Sequence, residues 1–489
     1  MPFSRPTLPC HPLFLMLFLA SAPAQARAIH ASPTGAASGP GSAAAPYSLT
    51  AGLAALAAGD TLWLQGGTYV LRDQLTVAAA RYGAADRPIR LFAAPGARPV
   101  LDFSSQPYAA SGNPRGLELD GDWWHVRGLE VNGSADVGIY VGGSHIIVEN
   151  CVSHGNRDSG IQIGRSAGNV AQPDWPAYNL ILNCESYDNY DLPPGSGENA
   201  DGFACKLTSG PGNVFRGCVS HHNIDDGWDL YTKSETGPIG PVVLDQCIAY
   251  ANGGLTDGTS NAQGDRNGFK LGGEKIAVAH TVSRCVAFGN GKNGFTWNSN
   301  PGAIRMVNNL AFDNLEGNFN FGTNSAPTQA VFANNVSWWT LAKAATATDK
   351  ALGTDFSGSN CWWDKAKAQP SVNAKGLIVG AADFARPLAG LRVVRDAATG
   401  APDLSVFRLA AGSPLRDAGV VPEGALPYEA ARYYVKTPDL GAVEGDGLPT
   451  ALRPQRTGAP LAIGTVAGRW SAGARDARGR SFAQGAMRR

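Results

Sequence analysis

From Trp123 onward, short runs of alternating apolar and polar residues recur around a fixed turn. The clearest copies are IIVENCVSHGNRDSGIQI (146–163), LILNCESYDN (180–189), VFRGCVSHHNIDDGWDL (214–230), VVLDQCIAYANGG (242–254), TVSRCVAFGNGKNGFTW (281–297) and IRMVNNLAFDNLEGNFNF (304–321). They align on Cys151, Cys184, Cys218, Cys247, Cys285 and Asn309. Five residues after each anchor stands an Asn: Asn156, Asn189, Asn223, Asn252, Asn290 and Asn314. Successive anchors are 33, 34, 29, 38 and 24 residues apart, and a weaker rung follows 26 residues later at Asn335. The longer steps hold inserts at 173–178, 192–197 and 254–264.

A variable period with period-two alternation around a constant turn predicts a parallel β-helix, an all-β solenoid. A doubly wound α/β sheet would need a helix between successive strands, and no helical periodicity separates these runs. The Asn column is expected to be structural. Asn tolerates a left-handed turn, and its amides can bond from coil to coil. The Cys column reads as small apolar side chains stacked inward, favoured as thiols, although coils about 4.8 Å apart bring the Cα atoms within disulfide range. No CxxC pair suggests a metal there.

The two ends differ from the middle. Leu49 to Ala58 has helical spacing and is expected to cap the first open coil, which would otherwise expose strand edges. Residues 360–450 read as a last coil and a C-terminal cap, within one β-helix domain over 27–455. Residues 456–489 are rich in Gly, Ala and Arg and are expected to be disordered. Arg5, the apolar run Leu13–Ala20 and Ala24-Gln25-Ala26 form the pattern of a secretory signal at 1–26. The run is too short to span a bilayer. The expected product is a soluble monomer, extracellular or periplasmic. Removal of Cys10 with the signal leaves seven cysteines, an odd number.

Formal net charge is +0 with 16% charged residues. No global field recruits nucleic acid, so affinity for a polyanion must be local. The local charge lies in ENADGFACKL (198–207), HHNIDDGWDLY (221–231) and GDRNGFKLGG (264–273). Each has Gly followed by an aromatic: Gly202-Phe203, Gly227-Trp228 and Gly268-Phe269. With these in register, Asp201 stacks on Asp226, and Asp229 lies beside Lys270. Each pair is then about 5 Å apart at the backbone, with Asp225 joining from the same turn.

Stacked carboxylates repel unless a cation sits among them. Four Asp suit Ca²⁺, which takes six to eight oxygen ligands, better than Mg²⁺, which keeps more water. A nearby cation lowers the pKa of an amine and moves Lys270 toward the neutral form a general base needs. The arrangement fits metal-assisted removal of a proton α to a carboxylate, followed by β-elimination. Lys206, Lys233, Arg266, Lys275, Lys292 and Arg305 lie on or near the same rungs as candidate partners for substrate carboxylates. Trp228 and Trp297 are candidates for sugar stacking or for inward packing.

ENADGFACKL, DDGWDLY and NGFKLGG resemble segments of the polysaccharide lyase family nine pectate lyases, which are right-handed parallel β-helix enzymes. The resemblance covers roughly 120–340 well. It implies Asp201, Asp225, Asp226 and Asp229 as calcium ligands, Lys270 as the base, and polygalacturonate as the substrate, with activity favoured at alkaline pH. Three alternatives remain open here: a lyase for another uronide such as alginate or a glycosaminoglycan, a polygalacturonase-like hydrolase using Asp201, Asp225 and Asp226 around a water, and a non-catalytic β-helix adhesin or tailspike-like binder.

Overall fold

A computed structural model describes residues 25–109, 111–322, 329–340, 348–421 and 437–445. Nearly all of the signal expected at 1–26, and the whole tail at 456–489, lie outside the described residues. Three parallel sheets run along the molecule, and ten coils contribute one short strand to each. The first sheet has twelve strands, from Ala28–Ala36 to Thr354–Asp355. The second has ten, from Gly67–Val70 to Val336–Trp338. The third also has ten, from Leu75–Val77 to Lys350–Ala351. The expected parallel β-helix is therefore observed. Among the described residues no helix is long and apolar enough to cross a membrane.

Strand alternation decides what fills the interior. On the third sheet Phe203, Trp228, Phe269, Phe295 and Phe319 point inward and stack, with ring centroids 4.7, 4.7, 4.8 and 5.1 Å apart. Trp228 is fully buried and Trp297 nearly so, so both pack inward. Each stacked pair adds about 0.5–1.5 kcal/mol beyond the area it buries. With side-chain period two, Ala204, Asp229, Lys270 and Thr296 must then face outward in one row.

The Asn column is a continuous buried ladder. Amide Nδ2 donates to the next Oδ1 at 2.8 Å from Asn156 to Asn189, 2.7 Å from Asn189 to Asn223, and 2.9 Å from Asn223 to Asn252. It continues at 2.9 Å to Asn290 and 2.8 Å to Asn314, and ends on Asn318 of the same coil. The left-handed residue, however, is the one before each ladder Asn: Gly155, Asp188, His222, Ala251, Gly289 and Asp313. The ladder Asn itself turns inward instead. Its presence also explains the Gly before each aromatic. A Cβ on Gly202 would lie 2.0 Å from Ser220 Oγ and 2.8 Å from Asn223 Nδ2. On Gly227 it would lie 2.5 Å from the Gly268 carbonyl and 2.8 Å from Asn252 Nδ2.

Cys151, Cys184, Cys218, Cys247 and Cys285 form a buried column of free thiols. Asn309, Asn335 and Asn360 extend that column as a second amide ladder. The N-terminal helix covers Leu49–Ala55, is shorter than expected, and is capped by the Ser48 side chain. Leu49 and Leu53 seal the first coil against Leu62 and Ala31. The C-terminal segment is more than an end cap. Leu388, Leu404, Val406, Phe407, Leu409 and Leu440 pack on the outer face of the second sheet, over Val219, Ile248, Val286 and Leu310. Arg395 there reaches Glu185 Oε2 at 2.7 Å, so this segment straps the flank of the coils.

Candidate active site

The site lies on the outer face of the third sheet, where three coils stack. Phe203, Trp228 and Phe269 are register partners, as are Ala204, Asp229 and Lys270. Just before these strands runs a column of Asp201, Asp226, Asn267 and Asn293. The last three backbone amides each donate to the side chain of the preceding coil: Asp226 N to Asp201 Oδ1 at 3.3 Å, Asn267 N to Asp226 Oδ1 at 2.7 Å, and Asn293 N to Asn267 Oδ1 at 3.3 Å. Asn293 and Asn267 also join through their amides at 3.0 Å, as in the interior ladder. Asp201 and Asp226 have no amide to donate. Two carboxylates therefore face each other where two amides would have bonded.

Oxygens of Asp201, Asp226 and Asp229 come within 4.8 Å of one another, and all three residues are buried. Asp226 Oδ2 and Asp229 Oδ1 accept no hydrogen bond. Their neighbour is the Lys270 ammonium, with Nζ 3.2 and 3.7 Å away. Lys206 Nζ sits on the other side, 2.6 Å from Asp201 Oδ2 and 3.4 Å from Asp229 Oδ2. Asp225 is buried beside them, but its Oδ1 accepts from the backbone amides of Asp265 and Arg266. It does not belong to the group of three.

Burial pushes the carboxyl groups of Asp201, Asp225 and Asp226 up. Asp226 rises to about 6, from burial first and offset by the Lys270 charge. Burial also raises Asp201 and Asp225 well above the carboxylate range, and their acidic neighbours add to it. Burial alone would lower the Lys270 pKa, but Asp229, Asp226, Asp225 and Asp265 outweigh it and hold the amine well above its ordinary value. The amine is thus an ammonium wherever these acids are uncompensated.

The donor set fits a divalent cation. When ionised, the three grouped Asp outnumber the two ammonium groups of Lys206 and Lys270 that face them. Two buried carboxylate oxygens without a hydrogen bond point into the same space. An all-carboxylate oxygen set of this kind suits Ca²⁺.

The other sequence candidates fall in different places. Lys206 is turned onto the acids. Lys233 is exposed in the turn that closes on Gly237. Arg266 lies along Gly253 and Gly291, with Nε on the Gly264 carbonyl. Arg305 stands on the first sheet, away from the acids on the third. Asp265 was not anticipated. It closes the insert at 254–264, and its Oδ2 reaches Lys270 Nζ at 3.0 Å. Ser159, which donates to Asp201 Oδ2 at 3.1 Å, also went unnoticed.

A family model, "Pel9A-like, right handed beta helix region", matches residues 29–335. Pectate lyase L of Paenibacillus polymyxa (strain SC2) is 45% identical over 392 residues, which cover 80% of this chain and 83% of that protein. Pectate lyase L of Thermoclostridium stercorarium is 44% identical over 71% of this chain, which spans 27% of that longer protein. The crystal structure of pectate lyase Pel9A superposes with a TM-score of 0.68 at 33% identity, covering 86% of this chain and 96% of the other. The resemblance read from the three Gly-aromatic turns is borne out: the chain belongs to the family of Pel9A-like right-handed parallel β-helix proteins.

Proposed function

We propose that this chain is an exported calcium-dependent pectate lyase that cleaves α-1,4-polygalacturonate by β-elimination. The observation that carries the reading is the Lys270 amine set 3.2 Å from Asp226, one of three buried, mutually repelling carboxylates. Asp201, Asp226 and Asp229 would hold the ion, and Asp225 would join if its Oδ2 turned toward them. Bound Ca²⁺ would draw electron density from a uronate carboxylate and offset the field that keeps Lys270 protonated.

Lys270 lies in the outward row of the strand, where a sugar ring would lie across the sheet. Neutral Lys270 takes the C5 proton. The electron pair released forms the C4–C5 double bond, the C4–O bond breaks, and the leaving oxygen acquires a proton from water. Lys206, bonded to Asp201 and Asp229, keeps the remaining acids from repelling the substrate's own charge. The names of the curated relatives support pectate over alginate or glycosaminoglycan.

Lys270→Ala should abolish the unsaturated product while calcium still raises the melting temperature. Substantial turnover by that variant would remove Lys270 from the role of base.

A further inference from the structure

The rim of the site carries one charge pair that the reaction above does not use. Asp265 lies between two ammonium groups, with Oδ2 3.0 Å from Lys270 Nζ and Oδ1 3.0 Å from Lys292 Nζ. Its side chain is 40% exposed, whereas those of Asp201, Asp226 and Asp229 are at most 6% exposed. Lys292, on the next coil, is 33% exposed. Among the described residues Asp265 is the only carboxylate within ion-pair distance of Lys292.

The loop that delivers Asp265 is held by polar contacts. Asn261 Nδ2 donates to the Ser196 carbonyl at 2.7 Å, and the Thr256 amide donates to Asp188 Oδ1 at 2.8 Å. No side chain from Leu255 to Gln263 is buried. The Asp265–Lys292 pair, with side chains 40% and 33% exposed, is worth at most about 1 kcal/mol, so a carboxylate arriving from solution can replace Asp265 on Lys292. The inserts at 192–197 and 254–264 thus stand against each other beside the site, and the second projects an acidic side chain into it.

We propose that Lys292 seats the carboxylate of a uronate unit adjacent to the one whose C5 proton faces Lys270. Asp265 holds that seat until substrate displaces it. This rests on the lyase reading above and extends it to selectivity: Lys292 favours a free carboxylate over its methyl ester, which carries no charge for the ammonium.

The test compares Asp265→Asn and Lys292→Gln with the parent enzyme on de-esterified and on highly methyl-esterified polygalacturonate. Lys292→Gln should raise KM for the de-esterified polymer about fivefold, the weight of one exposed charge pair, and leave kcat and the esterified polymer little changed. Asp265→Asn should lower KM for the de-esterified polymer by a similar factor. An unchanged KM in Lys292→Gln, or a raised KM in Asp265→Asn, would overturn the proposal. Binding of trigalacturonate by calorimetry in a Lys270→Gln background gives the same comparison without turnover, and equal affinities with and without Lys292 would likewise overturn it. Absence of unsaturated product from the parent enzyme would instead sink the lyase reading, so the two failures are distinct. The melting temperature of each variant separates loss of fold from loss of contact.

Discussion

Replacing Asp226 by Asn should stabilise the metal-free protein and remove its response to calcium. Asp226 is fully buried, and its carboxyl is pushed from an ordinary 3.8 to about 6. A carboxyl raised on folding favours the folded state at low pH. That contribution is present below 3.8 and is lost as pH rises through about 6. The cost of ionising Asp226 in the fold is then about 3 kcal/mol at pH 8. Asp201 and Asp225 shift in the same direction. Lys270, raised above 10.5, changes nothing in this window. Asn at 226 can keep the bonds from Asn267 and offer its own amide to Asp201, completing the ladder that Asn267 and Asn293 begin. Thermal unfolding in chelator should therefore show Asp226→Asn more stable than the parent at pH 8, by about 3 kcal/mol, and nearly equal to it at pH 4. Calcium at a hundred times its Kd adds about 2.7 kcal/mol to a folded state with one site, and the variant should lose most of this. Equal stability at pH 8, or an undiminished calcium shift in Asp226→Asn, would refute the view that repulsion among these acids awaits a cation.

Two other substitutions probe the frame that holds the site. Asn223→Ala removes bonds of 2.7, 2.9 and 3.0 Å to Asn189, Asn252 and Ser220 and strands their buried partners; a loss of about 3–5 kcal/mol is expected by thermal unfolding. Gly227→Ala places a methyl against the Gly268 carbonyl and Asn252, and should cost about 1–3 kcal/mol and lower calcium affinity, because it pushes the Asp226 coil off the Asn267 coil. Full calcium affinity in that variant would show that the stacking distance is not critical.

The core of the site was legible because its register is set by residues that cannot move. Phe203, Trp228 and Phe269 need the interior, and Gly202, Gly227 and Gly268 must make room for the Asn ladder. Counting outward from those pairs places Asp229 beside Lys270 and Asp201 on Asp226. The same arithmetic does not extend into the inserts. Asp265 reaches Lys270 through the path of a loop with no period of its own, and nothing in its spacing reveals that. Arg305 stands on a rung close to the site in sequence, yet position along a rung decides which sheet a residue joins, and Arg305 falls on the first. The C-terminal strap was hidden for another reason. Its apolar residues follow no coil period, and they pack on the outward Val219, Ile248, Val286 and Leu310, which look like ordinary strand residues until something covers them. The left-handed residue stands one position before the Asn that would suit such a turn, because the Asn amide is needed inside the ladder.

The central claim is that these stacked acids and Lys270 act together through one divalent ion. Its most direct test is ultraviolet absorbance of the ring double bond formed from polygalacturonate, using enzyme stripped with chelator and then titrated with calcium chloride. The account predicts no rise in absorbance from the stripped enzyme and full recovery as one calcium ion binds per chain. Undiminished turnover without calcium, or chain cleavage that yields no double bond, would contradict it.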